Sequence, residues 1–133
     1  MEEKYLLDTD VLVSKQFVNV KQPFVVSLMS VIELASVIRK KYLELLKKGE
    51  KSRAEGYVKF LNLTLSHIKN VIVEVSLKDI EDAINVMFTR DVNLGEAVNA
   101  MIAKRLDCTV ISNDKDWERL KDIVKIKRIE VKP

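Results

Sequence analysis

Four carboxylates lie at the boundaries of predicted helices and strands, where side chains from separate segments can meet. They are Asp8, Glu33, Glu96 and Asp114. Two follow apolar strands, and two fall in the first turn of a predicted helix. Converging carboxylates repel one another unless a cation neutralises them, and oxygen ligands select a hard cation such as Mg²⁺ or Mn²⁺. Such a cation activates water and binds phosphate oxygens, so the set indicates phosphate chemistry.

Three of these carboxylates also fit a purely structural role as helix-capping residues. Glu33 lies three residues after Ser30, and Glu96 lies three residues after Asn93, which is the spacing of a capping box. Asp114 can cap the short helix that follows it. The carboxylate after the first strand fits no cap, so it is the clearest candidate for a chemical role.

Apolar runs and helical periodicity predict strands that alternate with helices along the chain. The predicted strands are Tyr5–Leu7, Phe24–Val26 at a sheet edge, Val71–Val75, Thr109–Ile111 and Val124–Val131. The predicted helices are Val11–Val18, Ser30–Lys48, Ser52–Ile68, a helix that begins after Ser76, Gly95–Leu106 and a short helix around Trp117. In the helix after Ser76, the residues expected to face inward are Ile80, Ala83, Ile84 and Met87. We expect Trp117 to pack beneath the site. This order is typical of an α/β fold with a mainly parallel sheet of about five strands, flanked by helices.

Size and composition exclude several classes of protein. The chain has 133 residues, so one domain spanning 1–133 is expected. Three glycines and two prolines are too few for the tight turns of an all-β fold. The single cysteine excludes a cysteine-based metal cage and favours a cytoplasmic location. The longest uncharged apolar stretch, Pro23–Ile32, is about half of the ~20 residues that a membrane span needs, so no membrane partner is expected.

The acidic motifs resemble those of PIN-domain ribonucleases, and in particular the VapC-like toxins of toxin–antitoxin systems. The family's first motif, an apolar strand followed by Asp and a hydroxyl residue, is matched at Asp8, and its second, an acid early in a helix, at Glu33. The third is matched by Glu96 in an Ala-rich helix, and the fourth by segment 112–117, SNDKDW. Two residues depart from the usual pattern, because Glu96 replaces the commoner Asp and Asp10 replaces Asn or Ser.

The resemblance implies a single-domain PIN-like fold and Mg²⁺- or Mn²⁺-dependent hydrolysis of RNA by an endoribonuclease. The implied catalytic residues are Asp8, Glu33, Glu96 and Asp114, and the implied metal ligands are Asp8, Glu96, Asp114 and Asp116. The implied accessory residues are Asp116, Thr9, Ser112 and Asp10. Glu33 would complete the metal cage or orient the attacking water. The implied partners are RNA, a second copy of the chain and a small antitoxin protein.

The distribution of basic residues indicates where RNA could bind, and the distribution of apolar residues indicates where a second copy of the chain could bind. The net charge is +3, and segment 39–59 carries eight basic residues against three acidic ones. This segment is either an RNA-binding track or the solvated face of two helices. The two long helices also carry apolar residues beyond their core stripes, so we expect the dimer interface there. These residues are Leu45, Leu46, Phe60 and Leu63.

Two other classes of function are open from the sequence. Asp8-Thr9-Asp10 after an apolar strand also resembles the opening of haloacid-dehalogenase-like phosphatases, in which Asp8 would be the nucleophile and Asp10 the acid/base. The second alternative is a degenerate PIN-like module that binds RNA or protein without catalysis.

Convergence of the carboxylates also predicts an effect on stability. Like charges and partial burial raise carboxylate pKa values in the folded state and destabilise a metal-free fold at neutral pH. Asp8→Asn is therefore expected to abolish cleavage and to stabilise the metal-free protein by about 1 kcal/mol.

Overall fold

The structure is a computed structural model that describes residues 3–129. Its strands are β1 (Tyr5–Leu7), β2 (Phe24–Ser27), β3 (Ile72–Val73), β4 (Thr109–Ile111) and β5 (Ile126–Lys127). Its α-helices are α1 (Thr9–Val13), α2 (Leu28–Lys47), α3 (Lys51–Ile68), α4 (Leu77–Arg90) and α5 (Leu94–Leu106). The strands form an all-parallel sheet in the order β3-β2-β1-β4-β5. The predicted α/β fold with a parallel sheet of about five strands is confirmed.

The central strand of the sheet is β1. Leu6 pairs with Val25 of β2 on one side and with Val110 of β4 on the other, and the whole strand is buried. The neighbouring strands β1 and β4 are parallel, so the residues that follow them, Asp8 and Ser112, lie at the same edge of the sheet. This is the edge at which ligands bind in open α/β sheets.

Helices cover both faces of the sheet. Side chains alternate along β1, so Leu6 packs into one core with residues of α4 and α5, whereas Tyr5 and Leu7 pack into a second core with residues of α2 and α3. Most residues of α5 are buried, including those of its first turn. Glu96, in that turn, is therefore inside the molecule.

The start of α2 differs from the prediction. Ser27, the last residue of β2, caps the helix, and its hydroxyl oxygen accepts a hydrogen bond of 3.1 Å from the amide of Ser30. The predicted Ser30–Glu33 capping box is wrong, because the chain enters the helix directly from the strand. Glu33 consequently lies in the second turn, where capping cannot explain it.

The long helices α2 and α3 are joined by a short turn in which Gly49 adopts a φ of 76°, as expected for a glycine that ends a helix. Of the residues expected at a dimer interface, Leu45 is buried and Phe60 packs against the core, whereas Leu46 and Leu63 are exposed. Among the described helices, none is long and apolar enough to cross a membrane.

Several predicted elements are shorter in the structure, and one strand has a different position. The predicted helix Val11–Val18 is divided, because Lys15 adopts a left-handed conformation with a φ of 66° and a 3₁₀ helix follows at Gln16–Asn19. The predicted edge strand β2 lies between β1 and β3. Strands β3 and β5 have two residues each, and residues 130–131 of the predicted last strand lie outside the described part. The short helix around Trp117 is a 3₁₀ helix.

The face of α4 that packs against the core is only partly as predicted. Ala83 is buried and Met87 packs against the core, but Ile80 and Ile84 are exposed. The buried face includes a carboxylate, Asp79, in place of these two isoleucines.

Asp79 joins α4 to α5 through a hydrogen-bond network. It forms a capping box with Ser76, whose hydroxyl accepts from the Asp79 amide over 3.1 Å and whose amide donates to the Asp79 carboxylate over 3.0 Å. Arg105 of α5 donates two hydrogen bonds to the same carboxylate, of 3.2 and 2.9 Å. Burial by itself raises the pKa of Asp79, but the bonds from Arg105 and Ser76 outweigh it and hold the pKa below its ordinary value.

Asp79→Asn should lower the free energy of unfolding at pH 7 by about 1–3 kcal/mol, because it breaks a charged hydrogen-bond network. A lowered folded-state pKa means that ionised Asp79 stabilises the fold above its ordinary pKa of 3.8, and that this stabilisation is lost as the pH falls. Urea denaturation should therefore show a difference between wild type and variant that narrows below pH 3.8.

The matched control is Asp82→Asn, which removes only the exposed ion pair with Lys78. It should change the free energy of unfolding by less than about 0.5 kcal/mol. Equal losses in the two variants would contradict the role given to Asp79.

Candidate metal centre

Three side chains donate hydrogen bonds to the buried carboxylate of Asp8, which directly follows β1. Ser112 and Trp117 donate to one oxygen, through Oγ over 2.9 Å and Nε1 over 2.8 Å. Asn99 donates to the other oxygen through Nδ2 over 3.2 Å. The donors belong to three separate segments, so the carboxylate has one fixed orientation. The expected packing of Trp117 is confirmed, since it is buried, and its hydrogen bond is an additional finding.

Asn99 is a residue of the site that our sequence reasoning missed. It is fully buried on α5, and its Nδ2 also donates to the hydroxyl of Ser30 over 2.9 Å. Its Oδ1 accepts a hydrogen bond from the hydroxyl of Ser27. Asn99 therefore connects the start of α2 to Asp8. The only sequence signal is one polar residue inside the otherwise apolar segment 97–103.

Glu96 combines helix capping with a place in the site. Asn93 caps α5 by accepting from the Glu96 amide over 2.8 Å, and its side-chain amide donates to Oε1 of the same glutamate over 2.7 Å. Within residues 3–129, Oε2 of Glu96 is the one buried side-chain oxygen or nitrogen without a hydrogen-bond partner. Burial, followed by the negative charges of Asp114, Asp116 and Asp8, raises the pKa of this carboxyl to about 7.

Three carboxylates converge at the site. Glu96, Asp114 and Asp116 each place one oxygen within 4.8 Å of the others. Asp114 is exposed and also caps the 3₁₀ helix, because it accepts from the Asp116 amide over 2.9 Å. Asp8 is not part of this group of three, although its charge acts on Glu96. Converging oxygen ligands, one of them on a carboxylate with an unpartnered oxygen, fit a hard divalent cation such as Mg²⁺ or Mn²⁺.

Glu33 reaches the site from the second turn of α2. The hydroxyl of Thr9 donates to its Oε1 over 2.9 Å. Its carboxylate lies so close to Gly95 that a Cβ atom at that position would collide with it. Burial and the negative charge of Asp8 raise the pKa of Glu33 against the opposing effect of the Thr9 hydrogen bond. Gly95 thus leaves room for a second acidic group beside the first turn of α5.

Asp10 connects α1 to the loop that follows β4 through hydrogen bonds. Its carboxylate accepts from the amide of Asn113 over 2.9 Å and from the hydroxyl of Ser112 over 3.2 Å. Burial raises the pKa of Asp10 and the Asn113 bond lowers it, with a raised pKa as the net result. Asp10 is not in the group of three carboxylates. The structure places it where it orients the loop that carries Asp114.

Comparison with known proteins identifies similar structures but no similar sequence. No protein-family model and no curated protein matches the chain. The crystal structure of PAE2754 from Pyrobaculum aerophilum is 15% identical, with a TM-score of 0.70 over 96% of this chain and 92% of that one. A chain of VapBC-5, from the VapBC family of toxin–antitoxin systems of Mycobacterium tuberculosis, is 14% identical, with a TM-score of 0.65 over 96% and 98%.

A third similar structure is VapBC2 from Rickettsia felis, bound to a DNA fragment from its promoter. It is 14% identical, with a TM-score of 0.62 over 96% of this chain and 99% of that one. Together these similarities confirm the VapC-like PIN-domain fold that the motifs predicted. At such low identity they establish the fold alone, so the chemistry must be argued from the residues of the site.

Glu96→Gln should stabilise the protein in the absence of divalent cations. A folded-state pKa of about 7, against an ordinary value of 4.5, means that ionising Glu96 is harder in the folded chain than in the unfolded chain. The free energy of unfolding of the wild type should therefore fall by an amount on the order of 2 kcal/mol as the pH rises from 4.5 to about 7. The variant should not show this decrease. In EDTA, the melting temperature of the variant should exceed that of wild type above pH 7 and equal it near pH 4.5.

The control for Glu96→Gln is Glu44→Gln, which changes an exposed glutamate on α2 and should leave the melting temperature unchanged. The absence of any stabilisation by Glu96→Gln above pH 7 would contradict the prediction, because it would show that the charge of Glu96 does not destabilise the folded protein.

Asp8→Asn should destabilise the metal-free protein, the opposite of the change expected from the sequence. Both oxygens of Asp8 accept hydrogen bonds, so the side-chain amide nitrogen introduced by the substitution would have to face a donor. A buried donor without an acceptor lowers the free energy of unfolding by about 1–3 kcal/mol. Thermal unfolding in EDTA at neutral pH measures this change. A melting temperature above that of wild type would show that charge repulsion dominates at Asp8.

Proposed function

We propose that this chain is a metal-dependent endoribonuclease and the toxin of a type II toxin–antitoxin pair. One observation carries the proposal: three carboxylates converge around Glu96, whose Oε2 has no partner, beside an Asp8 carboxylate that three donors hold in place. Because Asp114 is exposed, a phosphate group can approach the group of three from solvent. The motif resemblance and the similarity to toxin–antitoxin structures support the biological role.

In this proposal, Glu96, Asp114 and Asp116 hold Mg²⁺ or Mn²⁺, and Asp8 contributes directly or through a water molecule. When bound, the cation lowers the pKa of water and stabilises the charge that develops on the phosphoryl oxygens. Oε2 of Glu96 has no hydrogen-bond donor, so the positive charge of a bound cation would compensate the unfavourable charge of this carboxylate.

Glu33 is the proposed residue that orients the attacking water. Its carboxylate lies against Gly95, the residue before Glu96, and a hydrogen bond from Thr9 fixes it. Its raised pKa suits a group that exchanges a proton with water. Ser112 and Asp10 have supporting roles, since Ser112 orients Asp8 and Asp10 orients the loop after β4.

The proposed partners are RNA, a small antitoxin protein and a second copy of the chain, and the proposed location is the cytoplasm. Of the eight basic residues in segment 39–59, seven are exposed and Lys41 is half-buried, which supports an electrostatic track for RNA. The similar structures named VapBC are toxin–antitoxin systems, which supports an antitoxin as a partner.

The phosphatase alternative fits this geometry less well. A nucleophilic carboxylate needs a free oxygen, whereas both oxygens of Asp8 accept hydrogen bonds and the residue is only 6% exposed. Asp10, the acid/base of that alternative, is bonded to the loop after β4. The non-catalytic alternative is decided by the cleavage experiment that follows.

Purified wild-type protein should cleave a mixed-sequence RNA that carries a fluorophore and a quencher. Cleavage should stop in EDTA and return with Mg²⁺ or Mn²⁺, because the ligand set consists of oxygen atoms. The same cations should raise the melting temperature of wild type and not that of Glu96→Gln, since ligands that bind the native state stabilise it. Activity that persists in EDTA, or that only Zn²⁺ restores, would contradict the proposal. Absence of cleavage with a bound cation would favour the non-catalytic module.

The companion variant, Glu33→Gln, tests the role of Glu33 as a site residue. It should reduce the cleavage rate by roughly 10²-fold or more while the protein stays folded. The control is again Glu44→Gln on the same helix, which should cleave as wild type does. Near-normal cleavage by folded Glu33→Gln would contradict a catalytic role for Glu33 and would indicate a structural one.

A further inference from the structure

Asn113 lies in the loop after β4, and three of its polar groups are each bonded to a different segment. Its backbone amide donates to Asp10 of α1 over 2.9 Å. Its Nδ2 donates to Oε1 of Gln16, in the 3₁₀ helix that follows α1, over 2.7 Å. Its Oδ1 accepts from the backbone amide of Ile129, after β5, over 3.1 Å. Asn113 therefore connects the loop to segments that are 16 to 103 positions away in the chain.

Both side-chain partners of Asn113 belong to segments that the hydrophobic core holds in place. Phe17, next to Gln16, is 5% exposed and packs in the core that contains Tyr5 and Leu7. Ile129 packs against the same core. Because both partners are fixed in this way, the bonds of Asn113 fix the loop relative to the core.

The attachment through Asn113 begins where the hydrogen bonds of the sheet end. The amide of Ser112 donates to the carbonyl of Lys127 over 3.1 Å, which continues the pairing of β4 with β5 to the first residue of the loop. Two residues further along, the amide of Ile129 bonds to the side chain of Asn113. The side chain thus extends the attachment past the end of the strand, to the residue directly before Asp114.

The loop needs this attachment because of the residues that it carries. Two of the three converging carboxylates, Asp114 and Asp116, directly follow Asn113 in the chain. Residues 112–114 lie in neither a strand nor a helix, and Asp114 is exposed. Like charges repel, so the repulsion within the group of three pushes Asp114 toward solvent. The bonds of Asn113 oppose this displacement.

We propose that Asn113 is a positioning residue of the metal centre. Its bonds to Gln16 and Ile129 hold Asp114 and Asp116 in place before a cation binds, and they thereby increase the affinity for Mg²⁺ or Mn²⁺. Loss of a residue that orients metal ligands typically lowers metal affinity by about 10–100-fold. This inference rests on the proposed metal-dependent function, and it adds a residue outside the acidic motifs, Gln16.

Titration with Mn²⁺ in the absence of RNA tests the proposal, with the free ion measured by electron paramagnetic resonance. Asn113→Ala should raise the dissociation constant at least roughly tenfold. Gln16→Met keeps the length of the side chain but removes the acceptor, so it should raise the constant at least roughly threefold, the effect of one hydrogen bond. Gln16→Glu retains an acceptor for Nδ2 of Asn113 and should bind Mn²⁺ at least as tightly as wild type.

A double variant tests whether Gln16 acts through Asn113. Asn113→Ala/Gln16→Met should bind Mn²⁺ about as weakly as Asn113→Ala alone, because the bond that the second substitution removes is already absent. The matched control is Asn19→Met, which changes an exposed residue of the same 3₁₀ helix and should leave the dissociation constant unchanged.

Amide hydrogen exchange in EDTA, followed by NMR, tests the positioning without a cation. The amides of Asp114 and Asp116 donate to Ser112 Oγ and Asp114 Oδ1 over 3.1 and 2.9 Å, so their protection reports the conformation of the loop. Both amides should exchange at least roughly threefold faster in Gln16→Met than in wild type. The amide of Leu6, in the central strand, should exchange at the wild-type rate. This comparison also shows that the variant is folded.

The outcomes separate this inference from the proposed function. Equal Mn²⁺ affinities of wild type and folded Asn113→Ala, or unchanged exchange of the loop amides in Gln16→Met, would overturn the positioning role and leave the metal centre in place. Losses that multiply in the double variant would overturn the connection between Gln16 and Asn113. A wild-type protein that binds no Mn²⁺ would overturn the proposed function and this inference with it.

Discussion

A buried carboxylate requires hydrogen-bond donors. Asp8 is such a carboxylate, and it lies at the end of the central strand, β1. The donors come from α5, from the residue after β4 and from the 3₁₀ helix beyond it. Meeting the requirement fixes three segments relative to β1. Glu96 lies one helical turn before Asn99 on α5, and Asp114 and Asp116 lie in the segment between Ser112 and Trp117. The donors of Asp8 therefore also bring the group of three carboxylates together.

Glu96 differs from Asp8 in the hydrogen bonds that its oxygens accept. Asp8 has a donor at each oxygen, whereas Oε2 of Glu96 has none and its carboxyl has a pKa raised to about 7. In a protein selected only for stability, such a carboxylate would have a hydrogen-bond donor or would be replaced by another residue. Uncompensated charge is a common property of functional sites. This contrast distinguishes a residue that organises the site from residues that are available to a ligand.

Both departures from the PIN motifs have defined places in the structure. Oε1 of Glu96 accepts a hydrogen bond from Asn93, whereas Oε2 has no hydrogen-bond partner. Asp10 does not join the group of three, because its oxygens accept from the loop after β4. Neither substitution removes an acidic group from the converging set.

The sequence by itself determined the fold class, the parallel sheet and the carboxyl ends of β1 and β4 as the position of the site, because apolar runs and the residues that follow them are local in the chain. It did not determine which of two nearby serines caps α2, since that depends on where β2 ends within the sheet. The periodicity of α4 predicted a helix with an apolar face, but burial of Ala83 and Asp79 against α5 decided that Ile80 and Ile84 point outward. The roles of Asn99, Trp117 and Gly95 depend on contacts between residues 62 to 109 positions apart, so only the tertiary structure decided them.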